Sequence, residues 1–142
     1  MTPEGNSLNQ WIVLSLDRRE YALPVQNVVE VLRMVAVSPM PEAPPWIAGV
    51  LNLRGKGIAV MDLRQRLGLP VRAPDLNTQI VIVETKREPL GLIADEVVEI
   101  ITLPSDALKP ADKLSGASPM LAALAHAGER LILVLDLDRL AG

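Results

Sequence analysis

Short runs of aliphatic and β-branched residues, separated by turn residues, form the main pattern along this chain. In the first half these runs are Trp11–Leu16, Glu20–Pro24, Val28–Val35, Ala48–Leu53 and Ile58–Asp62. In the second half they are Ile80–Thr85, Pro89–Ala94, Val97–Leu103, Met120–Ala125 and Leu131–Asp136. Runs of this length and composition, bounded by Gly, Pro, Asn or Asp, are typical of β-strands. The pattern therefore predicts an all-β protein.

The two halves also resemble each other residue by residue. The segment from Gln10 and the segment from Gln79 align without a gap, and they share the pairs Arg18/Arg87 and Glu30/Glu99. Later, Asp62 aligns with Asp136 when the offset grows from 69 to 74 residues. We interpret this as an internal duplication. It predicts one domain over residues 1–142, made of lobe one (about 10–68), a Pro-containing linker (about 69–77) and lobe two (about 78–140).

Five short strands per half predict a small barrel, because closing a sheet into a barrel removes its exposed edges. A short helix is expected after the last strand of each lobe, at Asp62–Leu67 and at Asp136–Leu140. Asp62 and Asp136 stand where a helix N-cap is needed, and Gly68 stands where the first helix would end.

Composition limits where the protein works and what it binds. The 142 residues include no cysteine, which excludes disulfides and thiolate metal sites and fits a reducing cytoplasm. The net charge is −3, the 14 basic residues are scattered and aromatic residues are few, so no nucleic-acid partner is expected. No apolar run approaches the roughly 20 residues of a membrane-spanning helix, and Met1–Gln10 does not resemble a signal peptide. We expect a cytoplasmic protein without direct membrane insertion.

Residue patterns that carry chemistry are scarce. His126 is the only histidine, and no nucleophile elbow, phosphate-binding loop or dinucleotide fingerprint is present. Asp62 and Asp136 are the best acidic pair for acid–base catalysis, although helix capping is the simpler role for both. We therefore expect no enzymatic activity, no cofactor and no metal. A regulatory ligand-binding β-barrel outside any receptor array stays open as the alternative to a protein-binding role.

The stretch from Pro44 to Pro70 resembles the signature of the CheW-like family. The matching residues are Ile47, Gly49-Val50, Asn52-Leu53-Arg54-Gly55, Ile58–Met61, Asp62-Leu63-Arg64 and Gly68-Leu69. The likeness extends over about residues 10–140. The chain departs from the usual pattern at Ala59, where the family commonly has Pro, and at Leu67, where it commonly has Phe. It also has Asp17-Arg18-Arg19 in the first hairpin in place of the usual Gly.

The resemblance implies a fold of two five-stranded SH3-like barrels that share a hydrophobic core. It also implies a function: a non-enzymatic scaffold that couples chemoreceptors to a CheA-type histidine kinase in a chemotaxis or chemotaxis-like array. The partners would be the regulatory domain of the kinase and the cytoplasmic tip of a methyl-accepting chemoreceptor. Such an adaptor would be recruited from the cytoplasm to membrane receptor arrays.

A receptor tip is a helical hairpin, and helices dock into apolar grooves through residues spaced three and four apart. We expect the groove between the barrels to take this role. The residues expected to line it are Val28, Val31, Leu92, Val97 and Ile100, with Glu30 and Arg54-Gly55 at its rim. Plain core packing is the alternative for each apolar residue, and an ion pair with Glu30 or Asp62 is the alternative for Arg54. The kinase is expected on a second face, formed by Trp11–Leu16 or Val29–Val35.

Overall fold

The structure is a computed structural model that describes residues 9–111 and 118–142. The expectation that the N-terminal segment is not a signal peptide concerns mainly residues 1–8, which lie outside the described residues. The strands are β1 (Gln10–Leu16), β2 (Arg19–Pro24), β3 (Val28–Arg33), β4 (Ile47–Leu53), β5 (Lys56–Asp62), β6 (Gln79–Val83), β7 (Leu90–Ala94), β8 (Glu96–Thr102), β9 (Leu108–Pro110), β10 (Leu121–Ala127) and β11 (Arg130–Leu135). The helices are α1 (Leu63–Arg66) and α2 (Leu137–Ala141).

These strands form two sheets, which confirms the all-β fold class predicted from the sequence. The six-stranded sheet has the order β8-β1-β2-β11-β10-β9, and the five-stranded sheet has the order β3-β6-β7-β5-β4. The sixth strand, β9, was not predicted. It is only three residues long and carries Pro110, so its sequence lacks a strand pattern.

Each half of the chain contributes its first hairpin to the sheet of the other half. Hairpin β1–β2 lies between β8 and β11, and hairpin β6–β7 lies between β3 and β5. The exchange is completed by parallel pairing of β2 with β11 and of β7 with β5. The sheets therefore do not follow the predicted division into lobes 10–68 and 78–140. Sequence periodicity identifies which face of a strand is buried, but it does not identify the neighbouring strand.

The five-stranded sheet closes on itself through the segment that follows β3. Ser38 and Val50 exchange two backbone hydrogen bonds, Ser38 N to Val50 O at 2.9 Å and Val50 N to Ser38 O at 2.7 Å. Gly49 permits this approach, because a Cβ built there would lie 2.2 Å from the Ser38 oxygen. In the other sheet β9 pairs with β10 at the corresponding position. Closure of this kind is the barrel geometry expected from the short strands.

Three apolar clusters form the core. The largest packs between the two sheets and includes Leu14 and Leu16 of β1 with Val81 and Leu92 of the exchanged hairpin. A second cluster around Trp11 fills the six-stranded sheet, and a third around Ile80 fills the five-stranded sheet. Strands β1 and β6 are therefore buried on both faces, which explains their nearly unbroken apolar sequences.

Both predicted helix starts are confirmed. The Asp62 side chain accepts a hydrogen bond from Arg64 N at 3.0 Å, and the Asp136 side chain accepts one from Arg139 N at 3.2 Å. Helix α1 is followed by Leu67 at its C-cap and then by Gly68, whose φ of 74° is the left-handed conformation that glycine adopts most easily. Asp62 is thus a cap whose side chain is already engaged, which supports the structural role over a catalytic one.

Candidate functional site

Arg54 and Glu30 form an ion pair across the opening of the five-stranded barrel. Glu30 lies on β3 and Arg54 lies in the β4–β5 turn, so the pair joins opposite edges of the sheet. Arg54 Nη1 donates to Glu30 Oε1 at 2.5 Å, and the side chains are 72% and 25% exposed, respectively. The hydrogen bond that Arg54 donates to Glu30, followed by the charge of Glu30, raises the pKa of Arg54. The intramolecular pairing considered for Arg54 is present, yet its side chain stays mostly exposed.

The turn that carries Arg54 is held by its own residues. Arg54 and Gly55 both have positive φ, at 51° and 84°, and Gly55 N donates to the Asn52 side chain at 3.0 Å. This hydrogen bond fixes the hairpin tip, as Asn side chains often do in turns. Arg54 is therefore presented from a defined backbone conformation.

Two of the predicted docking residues are exposed at equivalent edge positions. Val31 on β3 is 36% exposed and Ile100 on β8 is 58% exposed. Val31 lies opposite Val81, and Ile100 lies opposite Ile12, so both share the sheet face that packs in the central core. Cross-strand partners point to the same face of a sheet. The apolar face that packs in the central core therefore continues to a solvent-exposed residue on the edge strand of each sheet.

Val28 and Val97 are the partly buried members of the predicted set. Both pack against the central core, at equivalent positions of the two halves. Val97 N donates to the Gln79 side chain at 2.9 Å, which ties the start of β8 to β6 of the other sheet. These two valines therefore attach the edge strands β3 and β8 to the central core.

The placement of Leu92 in a docking groove is wrong. Leu92 is fully buried in the central core, where it pairs with Val81 and Met61 of the neighbouring strands. The space between the sheets is filled by side chains of the protein itself, so the expected groove is reduced to accessible positions at its edges. An apolar residue in a strand between two sheets has the same sequence signature whether its face is covered or open.

Of the two segments expected to bind the kinase, only one is accessible. In Trp11–Leu16 all residues except Ser15 are buried, so this strand is part of the core. In the Val29–Val35 segment, Val29 and Val35 are exposed alongside Val31. The accessible apolar surface of the first half is therefore concentrated on β3 and the residues that follow it.

Arg64 organises a polar cluster that the residue patterns did not reveal. Its Nε and Nη2 donate to the two carboxylate oxygens of Asp95 at 2.8 and 2.7 Å, and its Nη1 donates to Pro70 O at 2.7 Å. Asp17 N donates to Asp95 Oδ2 at 2.9 Å, and Arg72 lies 3.5 Å from the same oxygen. We call these five residues the Arg64 cluster.

The Arg64 cluster joins parts of the chain from both sheets. Asp17 follows β1 in the six-stranded sheet, whereas Arg64 follows β5 in the five-stranded sheet, and Asp95 links β7 to β8. Burial acts to raise the pKa of Asp95, but the hydrogen bonds from Arg64 and Asp17 and the charges of Arg64 and Arg72 lower it below its usual value. The bidentate contact is the geometry in which arginine binds carboxylates most strongly.

Within residues 9–111 and 118–142, no group of three or more His, Asp or Glu side chains is arranged to hold a metal ion. His126 is exposed on β10 and lies opposite Leu131 of β11. Among all the described residues, every helix lacks the length or the hydropathy needed to span a membrane.

The sequence model of the CheW-like domain matches residues 10–142. The chain belongs to the CheW-like family. It is similar to chemotaxis protein CheW of Klebsiella aerogenes, with 26% identity over 139 residues that cover 96% of this chain and 84% of that protein. It is also similar to chemotaxis protein CheW of Bacillus subtilis, with 35% identity over 103 residues that cover 72% of this chain and 66% of that protein.

A solved CheW structure supports the same assignment. The crystal structure of scaffolding protein TtCheW from Thermoanaerobacter tengcongensis matches with a TM-score of 0.87 and 32% identity. The match covers 93% of this chain and 91% of that chain. The barrel pair implied by the resemblance to the CheW-like family is thus confirmed.

The structure separates the CheW-like signature into two kinds of residue. Gly49, Asp62, Arg64 and Gly68 serve the fold, through barrel closure, helix capping, the Arg64 cluster and helix termination. Arg54 is the exposed charged residue of the signature turn. Arg64 could have been recognised as structural only from its three-dimensional partners, because Asp95 lies 31 residues away.

Proposed function

We propose that this chain is a non-enzymatic adaptor that couples the cytoplasmic tip of a methyl-accepting chemoreceptor to the regulatory domain of a CheA-type histidine kinase. The array would serve chemotaxis or a chemotaxis-like pathway. The observation that carries the proposal is the exposure of apolar side chains at equivalent edge positions of both halves: Val29 and Val31 on β3, and Val98 and Ile100 on β8. Two equivalent exposed apolar edges on one molecule support the binding of two protein partners at once.

The receptor contact would combine the apolar edge of β3 with Arg54. An amphipathic helix of the receptor tip offers apolar residues at helical spacing for Val29 and Val31. Arginine has five N–H donors, and the Glu30 contact uses one of them. The Arg54 side chain is 72% exposed, and its guanidinium geometry suits carboxylates or carbonyl oxygens of the partner.

The receptor would then occupy the Val29–Val35 segment that was expected to bind the kinase. The kinase contact would instead use the other apolar edge, Val98 and Ile100 on β8, so both partners can be bound at once. Holding the receptor and the kinase on one molecule makes their mutual contact effectively intramolecular. The adaptor then acts through geometry and needs no reaction of its own. Side chains fill the interiors of both barrels in the described residues, which gives no support to the alternative of a ligand-binding barrel.

Substitutions at the two edges test this proposal against a matched control. Val31→Glu and Ile100→Glu each place a charge at an exposed apolar edge, and Leu76→Glu places the same charge on an exposed leucine in the linker. We expect Val31→Glu and Arg54→Glu to weaken receptor binding at least tenfold, and Ile100→Glu to weaken kinase binding at least tenfold. Leu76→Glu should change neither. Binding to each purified partner is measured by biolayer interferometry.

Folding of each variant is checked by circular dichroism before binding is compared. If folded Val31→Glu, Arg54→Glu and Ile100→Glu proteins all bound both partners within twofold of the unsubstituted chain, these surfaces would not be the docking sites.

A further inference from the structure

The duplication gives each barrel an equivalent opening with an arginine–glutamate contact. Glu30 of β3 and Glu99 of β8 are equivalent at the offset of 69 residues. Glu30 lies opposite Ile82, which is part of the interior of the five-stranded barrel. Glu99 lies opposite Val13, which is part of the interior of the six-stranded barrel. Cross-strand partners share a sheet face, so each glutamate stands on the inner face of its own barrel.

The opening of the six-stranded barrel contains an additional carboxylate. Arg130 Nε and Nη2 donate to Glu20 Oε1 and Oε2, both at 2.9 Å. Arg130 Nη2 also lies 3.1 Å from Glu99 Oε2. The residue equivalent to Glu20 in the other half is Pro89, which carries no charge. We call Glu20, Glu99 and Arg130 the second opening.

The extra carboxylate changes which charge is presented to solvent. Glu30 and Arg54, which we call the first opening, balance each other, and the Arg54 side chain is far more exposed than that of Glu30. In the second opening one arginine faces two glutamates, which leaves one negative charge. Glu99 is its most exposed side chain, at 45%, against 36% for Arg130 and 26% for Glu20. The first opening therefore presents a guanidinium, and the second presents a carboxylate.

The apolar residues beside the two openings are equivalent and do not distinguish the edges. They are Val29 and Val31 on β3, and Val98 and Ile100 on β8. Farther along the edges, Arg33 of β3 and Glu96 of β8 line the same cavity, so their opposite charges offset each other there. The main difference between the edges is therefore the charge at the openings.

We propose that the β8 edge binds a surface of the kinase regulatory domain on which a lysine or arginine stands beside apolar side chains, and that this cation pairs with Glu99. The apolar part of that surface covers Val98 and Ile100. A carboxylate accepts several hydrogen bonds, so Glu99 keeps its contact to Arg130 while it accepts the second cation. This inference rests on the proposed function and adds the chemistry of the partner surface that the β8 edge selects.

The same difference in charge makes the two equivalent edges selective. A cation that meets Glu99 at the second opening would meet the exposed guanidinium of Arg54 at the first. Like charges brought together in an interface oppose binding, so the kinase surface is directed to β8 and away from β3. Charges at the rim of an interface act mainly on the association rate and its salt dependence.

The test measures binding of the kinase regulatory domain to the full chain by biolayer interferometry. Glu99→Gln removes the charge and keeps the size of the side chain, and Glu30→Gln is the matched control at the equivalent position of the other edge. We expect Glu99→Gln to weaken kinase binding about fivefold, near the upper limit for an exposed ion pair. Glu30→Gln should leave kinase binding unchanged. A rise in salt from about 50 to about 500 mM should slow association of the parent more than that of Glu99→Gln.

Glu20→Gln gives a second readout. Arg130 then balances Glu99, and the second opening no longer carries a net charge. We expect kinase binding to weaken in this variant too, with the salt dependence of association reduced. The fold of each variant is checked by circular dichroism before binding is compared.

The outcomes separate this inference from the proposed function. If Ile100→Glu weakens kinase binding but Glu99→Gln binds the kinase as tightly as the parent or more tightly, the proposed function is supported and this inference fails. Equal losses in Glu99→Gln and Glu30→Gln would also overturn it, because the charge would then act alike at both edges. Failure of the parent to bind the kinase domain would overturn the proposed function, and this inference with it.

Discussion

Replacement of Arg64 by methionine tests the ion pair that links the two sheets. Methionine has a similar length and is apolar, so the substitution removes the guanidinium while it fills much of the space. It deletes two hydrogen bonds to Asp95, one to Pro70 O and a longer one, of 3.4 Å, to Asp17 Oδ1. It leaves the Asp95 carboxylate largely buried. Asp95 would keep only the Asp17 N–H and the more distant Arg72.

The expected magnitude follows from what remains around Asp95. Breaking a buried ion pair by removal of one partner typically costs about 3–5 kcal/mol. Asp17 N–H and Arg72 still compensate part of the charge, so we expect the lower end, about 3 kcal/mol. The unfolding entropy of a 142-residue chain is about 0.3 kcal/mol/K, which converts this loss into a fall in Tm of about 10 °C.

Urea unfolding followed by tryptophan fluorescence measures this loss. Arg72→Met is the matched control: Arg72 contacts the same Asp95 oxygen from a half-exposed position, and its loss should cost less than about 1 kcal/mol. A double-mutant cycle of Arg64→Met with Asp95→Asn should give a coupling energy of about 2 kcal/mol. A coupling energy near zero, or an Arg64→Met protein as stable as the control, would refute the assignment of Arg64 as the link between the sheets.

Three further predictions concern barrel closure, helix capping and pH. Gly49→Ala should lower the urea midpoint markedly, because the new Cβ would clash with the Ser38 oxygen. The control Gly128→Ala, at a position with open space around it, should perturb only its turn. Equal effects of the two substitutions would contradict the closure role of Gly49. Asp62→Ala should cost about 1 kcal/mol through loss of the N-cap, with Asp62→Asn close to the parent, in the same urea assay; an unchanged Asp62→Ala midpoint would contradict it. The pKa of Asp95 is lowered in the folded state, so its stabilising contribution is complete above the unfolded pKa and is lost as pH falls through the folded pKa. Unfolding free energy should therefore decline below about pH 4, and less steeply in Asp95→Asn; parallel declines would contradict the prediction.

The sequence predicts most of the strands, because strand residues either alternate between apolar and polar or, where both faces are buried, are apolar throughout. The helix caps were predictable too, since Asp62 and Asp136 follow a strand and precede a helical turn. The exchange of hairpins was not, because the parallel pairing of β2 with β11 leaves no mark on the sequence of either strand. Partner identity in a sheet is set by the whole chain, not by local pattern.

The residues of the candidate site also divide into those that the sequence could predict and those that it could not. Arg54 was predictable as an exposed residue, because it stands in a hairpin turn beside a glycine. Leu92 was misplaced, because a fully covered apolar strand and a partly open one have the same composition. Arg64 was missed as a contact residue, because its partners Asp17 and Asp95 lie 47 and 31 residues away. Long-range pairs of this kind become visible only in the folded chain.

Reconstitution of the three-component assembly tests the central claim most directly. The kinase regulatory domain is immobilised, the receptor cytoplasmic fragment is passed over it, and retention of the receptor is measured with and without this chain. We predict that the receptor fragment is retained only when this chain is present, and that Leu76→Glu supports retention as well as the parent does. Equal retention of the receptor without this chain, or none with it, would contradict its role as an adaptor.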